Sequence, residues 1–392
     1  MLATLFLLAP HSRHGLSSIF GLVASGTMSD SSRNRSLREL RQTIDAVDDR
    51  LLELIRKRME LAARIGSHKH EEGNTAFYVP SREAQIIRRL LKKNRGIIPE
   101  AALQGIFREI IGACLSSEQP LTIAYLGPEG TFTHVASRRQ FGAMAQYMPC
   151  KSLDEVFDEV EAGRVTYGMV PVENAFEGAV TLTLDLLVDS QVSICAEVLL
   201  GIHEHLLSRA KRLKDIQQLI SHPQPLGQCR RWLQAHLPWA ETIEVNSTAQ
   251  AAELALKEPR LAAIAPEEVA MRLELPILRR NIEDYHGNTT RFLVIGQHDS
   301  PPSGEDKTAL VMSVKDRPGA LHDLLEPFHK RGIGLTRIES RPSKKRLWEY
   351  VFFVDLQGHR EDADVAAALG DIRALPDSFL KVLGSFPVAS RL

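Results

Sequence analysis

A glycine-rich turn near the middle of the chain is suited to binding a small anion. Residues 121–133 read Leu-Thr-Ile-Ala-Tyr-Leu-Gly-Pro-Glu-Gly-Thr-Phe-Thr, which predicts a buried strand, a turn at 127–130 and a helix beginning at Thr131 or Thr133. A helix N-terminus leaves backbone N–H groups unpaired and carries the positive end of the helix dipole. We therefore expect the amides of Gly130 and Thr131 to bind an anion; the alternative is an ordinary connection between a strand and a helix.

Hydroxyl and amide side chains recur where later strands and helices begin or end. Asn174 follows one predicted strand, Ser247 and Thr248 precede a predicted helix, and Thr290 and Arg291 begin another strand. Taken singly, each has a structural explanation, such as a turn cap for Asn174 or a helix cap for Ser247. Taken together, they predict a polar site at strand ends, where α/β folds bind ligands.

A second group of candidate residues is cationic and lies on a predicted long helix. Its apolar stripe has heptad spacing: Leu37, Leu40, Ile44, Val47, Leu51, Leu54, Arg58, Leu61 and Ile65. This spacing predicts one helix over residues 36–69 that packs along its length. Arg58 occupies a position in the stripe, and Lys69 follows on nearly the same face. Because a buried guanidinium needs a partner, the two cations predict a dianionic ligand; the alternative is a coiled-coil dimer with one polar seam residue.

Two further helices complete this N-terminal module. The second follows Pro80 and runs over residues 81–94, and the third begins near Pro99. The apolar stripe of the third helix leads to Glu118, where an apolar residue is expected. A carboxyl group in that position is a candidate functional group.

The remaining sequence predicts two more modules. From about 120 to 298 short apolar strands alternate with helices, which indicates an α/β module with two lobes and a cleft. Residues 299–306 form a polar, proline-rich linker. After it the order strand, helix, strand, strand, helix, strand over 307–386 is that of a ferredoxin-like α+β domain.

Composition excludes several classes of function. The 392 residues carry a net charge of −1, which gives no reason to expect nucleic acid or a membrane surface as partner. The four cysteines are scattered, so neither a disulfide framework nor a metal site is expected. The apolar segment near the N-terminus lacks preceding basic residues and is a poor signal peptide. We expect a cytoplasmic protein whose residues 1–35 are a leader or disordered, with Met28 a possible start.

The motifs of the central module resemble those of prephenate dehydratases. Besides Gly-Pro-x-Gly-Thr-Phe, four motifs follow in the family's order: Val170-Pro-Val-Glu-Asn174 with Gly178, Ser221-His-Pro-Gln-Pro-Leu-Gly-Gln-Cys229, Asn246-Ser-Thr-Ala-Gln-Ala-Ala252 and Asn288-Thr-Thr-Arg-Phe292. The resemblance implies that Thr290 helps hydroxide leave from prephenate. The implied substrate ligands are Gly130, Thr131, Asn174, Ser247, Thr248 and Arg291. Arg291 could instead pack at the strand end, and Phe292 would shape the wall.

Residues 36–119 resemble the helical chorismate mutases. The similar residues are Leu37-Arg-Glu, Ile44-Asp, Asp48, Leu51-Leu52, Leu54-Ile55, Arg58, Lys69 and Pro80-Ser-Arg82-Glu83. The resemblance implies an intertwined dimer in which Arg41 is lent by the partner chain. It assigns substrate binding to Arg58, Lys69, Arg82 and Glu83, and catalysis to Lys69 with Glu118.

Two positions depart from the mutase pattern. Val79 stands where the family often has Asp, which affects recognition of the substrate hydroxyl. Glu118 stands where the family often has Gln, and a carboxylate cannot donate a hydrogen bond. Glu118 would have to be protonated to act, so we expect mutase activity to decline as the pH rises.

The C-terminal module resembles the amino-acid-binding ACT domain. Pro318-Gly-Ala-Leu321 and Glu339-Ser-Arg-Pro342 carry the resemblance. It implies a phenylalanine site formed by Gly319, Ala320, Leu321, Glu339, Ser340 and Arg341. The alternative is a domain that serves only to dimerise.

These observations predict three domains, at 36–119, 120–298 and 307–386. The predicted function is a homodimeric enzyme that converts chorismate to prephenate and prephenate to phenylpyruvate without cofactor or metal, inhibited by phenylalanine. Three alternatives stay open: a dehydratase whose helical module only dimerises, a two-lobed ligand-binding sensor without turnover, and arogenate rather than prephenate as substrate.

Overall fold

The computed structural model describes residues 30–71, 78–118, 121–285, 287–342 and 350–389. The chain divides into two compact units, one ending at Lys57 and one beginning at Arg58. Among the described residues, no helix is both long and apolar enough to cross a membrane. The first unit is formed by the N-terminal part of one long helix, and the second holds everything that follows.

Three helices form the N-terminal module: α1 (Asp30–Glu71), α2 (Pro80–Asn94) and α3 (Glu100–Glu118). Helix α1 begins six residues before its predicted start, because residues 30–35 contain no proline or glycine to stop it. Pro80 suits the first turn of α2, since its fixed φ is helical and its missing N–H has no partner there. The apolar stripe of α1 is about half exposed, with Leu40 at 59% and Leu54 at 49%.

The first lobe of the central module is built on a six-stranded mixed sheet, sheet A. Its strands are β1 (Thr122–Leu126), β2 (Gln146–Cys150), β3 (Tyr167–Asn174), β4 (Gly178–Ala179), β5 (Ser193–Gly201) and β11 (Thr289–Gly296). The order is β2–β1–β3–β11–β5, with β4 paired to β3. Three helices pack in this lobe: α4 (Phe132–Phe141), α5 (Leu153–Glu161) and α6 (Thr181–Asp189).

The second lobe is inserted between β5 and β11 and has its own sheet, sheet B. Its strands are β6 (His205–Leu207), β7 (Gln218–Ser221), β8 (Glu241–Glu244), β9 (Leu261–Ala265) and β10 (Ile277–Arg279), in the order β10–β6–β9–β7–β8. Its helices are α7 (Pro223–Gln228), α8 (Arg230–His236), α9 (Thr248–Lys257) and α10 (Glu267–Leu273), with a short 3₁₀ turn at Leu213–Asp215. The predicted two-lobed α/β module is confirmed.

The C-terminal domain has the predicted order of elements. It contains β12 (Asp306–Val314), α11 (Ala320–Lys330), β13 (Leu335–Pro342), β14 (Tyr350–Gln357), α12 (Ala363–Ala374) and β15 (Ser378–Pro387). These strands form one antiparallel sheet, sheet C, in the order β13–β14–β12–β15. The ferredoxin-like prediction is confirmed.

Sheet C packs face to face on sheet A. Val170 and Leu293 of sheet A share one apolar core with Val311 and Phe353 of sheet C. The sheets approach so closely at Gly384 that a Cβ there would lie 2.2 Å from the carbonyl oxygen of Ile194. The C-terminal domain is therefore part of the packing that supports the first lobe.

Candidate active site

Pairing of β3 with β11 brings together two of the predicted site residues. Thr290 lies directly opposite Asn174 in the antiparallel register. The Asn174 Nδ2 donates to the Thr290 Oγ1 over 2.9 Å and to the Asn288 Oδ1 over the same distance. Because the Thr290 oxygen accepts this bond, it keeps its own hydrogen for donation.

The Asn174 amide is held in one orientation by backbone donors. Its Oδ1 accepts from the N–H groups of Phe176 and Glu177 at 3.0 and 3.1 Å. Asn174 is 7% exposed. A buried amide with both ends bonded cannot rotate without losing hydrogen bonds, so Asn174 fixes the position of Thr290.

The polar network extends to two residues that sequence reasoning did not select. The Asn288 Nδ2 donates to the Gln228 Oε1 over 3.3 Å. Asn288 belongs to the first lobe and Gln228 to helix α7 of the second, so this bond crosses the cleft. Both residues lie within the sequence motifs Asn288–Phe292 and Ser221–Cys229. Their amide side chains, close in sequence to Thr290 and Cys229, could therefore have been selected as candidates.

A β-bulge decides which way Arg291 points. In β3, Val172 is an additional residue between Pro171, opposite Phe292, and Glu173, opposite Arg291. Bulges of this kind redirect the side chains that follow them. Glu173 and Arg291 thereby reach contacts with sheet C, while Asn174 and Thr290 meet on the opposite face.

The guanidinium of Arg291 is held in ion pairs within the protein. Its Nε lies 2.8 Å from Glu197, and its Nη1 forms a short contact with Asp355. Lys307 approaches Glu197 at 2.9 Å. Burial alone would raise the pKa of Glu197, but Arg291 and Lys307 outweigh it and lower that pKa. This arrangement does not favour the predicted contact of Arg291 with substrate, which stays a prediction.

The two residues of the glycine turn that are predicted to bind an anion form hydrogen bonds with neighbouring residues of the protein. Gly130 has a φ of 89°, and its N–H donates to the His134 Nδ1 over 3.1 Å. Burial lowers the pKa of His134, which agrees with a neutral ring that accepts this bond. Thr131 caps α4, accepting from the His134 N–H at 3.4 Å and donating to the Leu126 carbonyl at 3.0 Å. The anion-binding role of these two amides stays a prediction, and their internal bonds count against it.

The turn nevertheless faces the predicted site residues of the second lobe. Ser247 caps helix α9, its Oγ accepting from the Gln250 N–H at 3.1 Å, and Thr248 is the first residue of that helix. A Cβ at Gly130 would lie 3.8 Å from the Cβ of Ala249. The fold therefore brings the Gly130 turn and the N-terminus of α9 together across the cleft.

Two of the predicted mutase residues contact other residues of the helical module. The Arg58 Nη1 lies 2.7 Å from the Cys114 Sγ and 3.5 Å from the Ile110 carbonyl oxygen, so Arg58 points at α3 as its place in the stripe predicts. Glu83 is buried and lies 3.4 Å from Arg108. Burial raises the pKa of Glu83, although Arg108 opposes this shift.

For the other residues predicted to act in the mutase site, the structure shows fewer contacts. Arg41 and Arg82 are exposed, and Arg41 belongs to the first compact unit. The side chains of Lys69 and Glu118 lie outside the described residues. Val79 precedes α2 without a side-chain cap, as its apolar side chain requires.

A pocket of about 250 Å³ opens in the C-terminal domain beside the start of α11. Gly319, Ala320 and Leu321 line it together with the aromatic rings of Tyr350 and Phe352. Gly319 has a φ of 82°, a conformation that favours glycine at this helix start. Three of the predicted effector residues therefore share one pocket.

The remaining effector residues lie on the two faces of strand β13. Ser340 is the register partner of Phe352, a lining residue of the pocket. Arg341 lies on the other face, where its Nη1 donates to the Thr181 carbonyl at 2.7 Å and approaches Asp185 at 3.3 Å. Glu339 shares that face through the alternation of the strand. A direct contact of Glu339 with an effector in this pocket stays a prediction that the placement does not favour.

The fold and the sites define a class of protein: a multidomain enzyme with a polar cleft between two α/β lobes, a three-helix module and a small-molecule-binding regulatory domain. Family models match in the same order, chorismate mutase type II at 40–119, prephenate dehydratase at 123–300 and the ACT domain at 308–374. The chain is 48% identical over 357 residues to the bifunctional chorismate mutase/prephenate dehydratase of Aquifex aeolicus, covering 90% of this chain and 98% of that protein.

A second relative and a solved structure agree with this match. The bifunctional chorismate mutase/prephenate dehydratase of Pseudomonas aeruginosa is 45% identical over 361 residues, covering 90% of this chain and 98% of that protein. The crystal structure of the prephenate dehydratase of Arthrobacter aurescens in complex with L-Phe superposes with a TM-score of 0.62 at 36% identity, over 68% of this chain and 90% of that one. The chain belongs to the family of bifunctional chorismate mutase/prephenate dehydratases. The predicted domain types are confirmed, and two catalytic domains are favoured over a helical module that only dimerises.

Proposed function

We propose that this chain carries out both reactions of its family with the residues described above, and that phenylalanine bound to the C-terminal domain slows the second reaction. Chorismate would rearrange to prephenate in the helical module, and prephenate would lose carbon dioxide and hydroxide in the cleft. The observation that carries the proposal is the bond from Asn174 to Thr290, which leaves the threonine hydroxyl able to donate.

The dehydration needs help chiefly at the leaving oxygen. As the carboxylate carbon departs as carbon dioxide, its bonding electrons enter the ring and the C–O bond to the ring hydroxyl breaks. The departing oxygen gains negative charge, which a hydrogen bond from Thr290 stabilises. A threonine hydroxyl is too weak an acid to transfer its proton fully, so it acts as a donor and water supplies the proton.

The remaining carboxylate of the substrate requires a second binding element. Arg291 is engaged with Glu197 and Asp355, so the N-terminus of α9 at Ser247 and Thr248 is the better candidate. Helix N-termini stabilise carboxylates through free N–H groups and the helix dipole. The α9 terminus faces the Gly130 turn, which places it at the mouth of the cleft.

The mutase reaction requires shape and charge rather than a nucleophile. The enzyme must hold two carboxylates in the reactive conformation and stabilise negative charge on the ether oxygen. Arg58 points toward α3 and is suited to a carboxylate. Lys69 and Glu118 keep their predicted catalytic roles, and Arg82 and Glu83 their binding roles.

A second copy of the chain would complete the mutase site as a homodimer. The apolar stripe of α1 is about half exposed along its length, and a heptad stripe of this kind is buried by pairing with another helix. The same partner would supply Arg41. We propose that the enzyme acts on prephenate in the cytoplasm.

The effector site is supported by the pocket beside α11. Its volume of about 250 Å³ and its two aromatic rings suit a single phenyl side chain, and the N–H groups at the start of α11 suit a carboxylate. The prephenate dehydratase of Arthrobacter aurescens was solved with L-Phe, which supports the same effector class here.

One assay tests the proposal as a whole. Purified protein is incubated with chorismate alone, and prephenate and phenylpyruvate are followed with and without phenylalanine. The proposal predicts phenylpyruvate without added prephenate, and a lower rate of its formation when phenylalanine is present. Conversion of added prephenate only would remove the mutase assignment, and indifference to phenylalanine would remove the effector assignment.

A further inference from the structure

Four charged residues form a reciprocal cluster between sheet A and sheet C. Arg291 of β11 pairs with Asp355 of β14, and Arg337 of β13 lies 2.8 Å from Glu173 of β3. Each sheet thus contributes one arginine and one carboxylate. Arg291, Asp355 and Arg337 have side chains that are 12%, 7% and 11% exposed, whereas that of Glu173 is 38% exposed.

The cluster is directly connected to the candidate active site. Glu173 and Arg291 are register partners in the β3–β11 pair, and the next pair along the strands is Asn174 with Thr290. One pair faces the regulatory sheet and the other faces the cleft. A displacement of Glu173 or Arg291 therefore moves the backbone that positions Asn174 or Thr290.

The cluster is also directly connected to the candidate effector site. Arg337 and Asp355 are register partners in the β13–β14 pair. Strand β13 continues through Glu339, Ser340 and Arg341, and β14 carries Tyr350 and Phe352 of the pocket. Strand β14 thus carries both pocket residues and Asp355 of the cluster, and its neighbour β13 carries Arg337.

We propose that this four-residue cluster transmits effector binding from the C-terminal domain to the dehydratase site, and that Arg337 and Asp355 act as positioning residues for Asn174 and Thr290. The inference rests on the proposed inhibition by phenylalanine and names the contacts through which it acts. Buried ion pairs suit this task because their energy depends steeply on geometry and little on screening by salt. A small shift of β13 and β14 on effector binding changes both pairs together.

One other polar contact between the C-terminal and central domains lies at helix α6 rather than at the catalytic strand pair. Lys381 of β15 donates to the carbonyls at the end of α6, those of Leu187, Val188 and Ser190. It holds the same two domains together through the end of α6. Lys381 therefore provides a matched control that separates loss of domain contact from loss of the proposed coupling.

The test uses full-length Arg337→Gln and Asp355→Asn, with Lys381→Gln as control. Substituting these residues leaves β3 and β11 unchanged, Arg291 keeps Glu197 as partner, and Glu173 can reach solvent, so folding is expected to persist. Phenylalanine affinity is measured by calorimetry, and the rate with prephenate is measured at zero and saturating phenylalanine. We expect both variants to bind phenylalanine within about threefold of wild type yet to need at least about tenfold more for the same inhibition, or to escape it, a coupling loss of the usual size. Lys381→Gln should stay inhibited.

The outcomes separate this inference from the proposed function. If the wild type neither binds phenylalanine nor is inhibited by it, the proposed regulation fails. If the wild type is inhibited and both variants are inhibited equally well, the cluster is not the route. Equal uncoupling by Lys381→Gln would also overturn the inference, because any domain contact would then suffice. Should one variant fail to fold, the other gives the same decision.

Discussion

The dehydratase cleft and the mutase helices differ in how much of each site a single chain assembles. In the cleft, strand pairing brings Asn174 and Thr290 to 2.9 Å although they lie 116 positions apart in the sequence. In the helices, Arg58 and Glu83 contact α3, while Arg41 is exposed. Strand ends meet inside one sheet, whereas the half-exposed apolar stripe of α1 is the feature for which we propose pairing with a second chain. The two sites should therefore respond differently to point changes and to dissociation.

The largest expected effect is at the threonine hydroxyl. Thr290→Val keeps the size and β-branching of the side chain but removes the donor to the leaving oxygen. We expect the dehydratase kcat to fall about 10³-fold, within the range for a positioned acid–base group, while mutase activity is unchanged. Steady-state kinetics on prephenate measure it. Thr290→Ser, which retains a hydroxyl, should lose less than the valine variant; equal losses would contradict a role as donor.

The next largest effect is at the mutase arginine. Arg58→Ala removes the cation that points toward α3, and kcat/KM for chorismate should fall about 10²-fold. Arg58→Lys retains the charge without the planar guanidinium. Its kcat/KM should lie between the values of the wild type and Arg58→Ala. Kinetics with chorismate measure this, and the dehydratase rate with prephenate is the internal control. Full mutase activity in the alanine variant would exclude Arg58 from the site.

Dissociation of the proposed dimer should lower mutase activity but not dehydratase activity, with a smaller effect than the two substitutions above. Leu54→Glu places a charge in the exposed stripe of α1, and we expect light scattering to show loss of the dimer. Each ~1.4 kcal/mol lost from the interface raises its dissociation constant tenfold. At assay concentrations where the variant is monomeric, the site lacks the Arg41 that the partner is proposed to supply, so mutase activity should fall at least about tenfold.

The neighbouring substitution Glu53→Gln lies off the stripe and is the control, expected to remain a dimer. Dehydratase activity in the Leu54→Glu variant should persist. If the protein stays dimeric with full mutase activity, the stripe is not the interface.

The remaining expected effect is on stability rather than on rate, at the connection between the two lobes. Glu204 is fully buried beside Glu283, and burial, together with the charge of Glu283, raises its pKa to about 8. The folded protein therefore holds a proton that the unfolded chain releases above about pH 4.3. Stability should fall as the pH rises from about 5 to 8, by at most about 1.4 kcal/mol per pH unit for one proton.

Denaturant unfolding at several pH values measures this slope. Glu204→Gln cannot ionise, so its unfolding free energy should change less across this range than that of the wild type. Glu244 is exposed, and Glu244→Gln should keep the slope of the wild type. An unchanged slope in Glu204→Gln would show that Glu204 does not hold the additional proton.

Much of the fold could be predicted because many of its helices and strands are bounded by recognisable turn and capping residues. Ser247 as a helix cap, β1 over 122–126 and the order of the C-terminal elements follow from local chemistry. The strands β2, β4, β6, β8 and β10 were not predicted. Strand β2 contains a proline and β8 is mostly polar, while β4, β6 and β10 have only two or three residues, which carry little periodicity.

The site was predicted less completely, for two physical reasons. The bulge at Val172 changes which face Glu173 and Arg291 occupy, and a motif read along the sequence does not contain that register shift. The engagement of the Gly130 amide by His134 depends on a side chain one helical turn away. Both are consequences of tertiary geometry rather than of local residue types.

The most direct test of two separately built sites in one chain is to compare Thr290→Val and Arg58→Ala with chorismate and with prephenate. We expect that Thr290→Val accumulates prephenate from chorismate, that Arg58→Ala converts added prephenate at the wild-type rate, and that a mixture of the two variants restores phenylpyruvate formation from chorismate. Loss of both activities in either variant would contradict it.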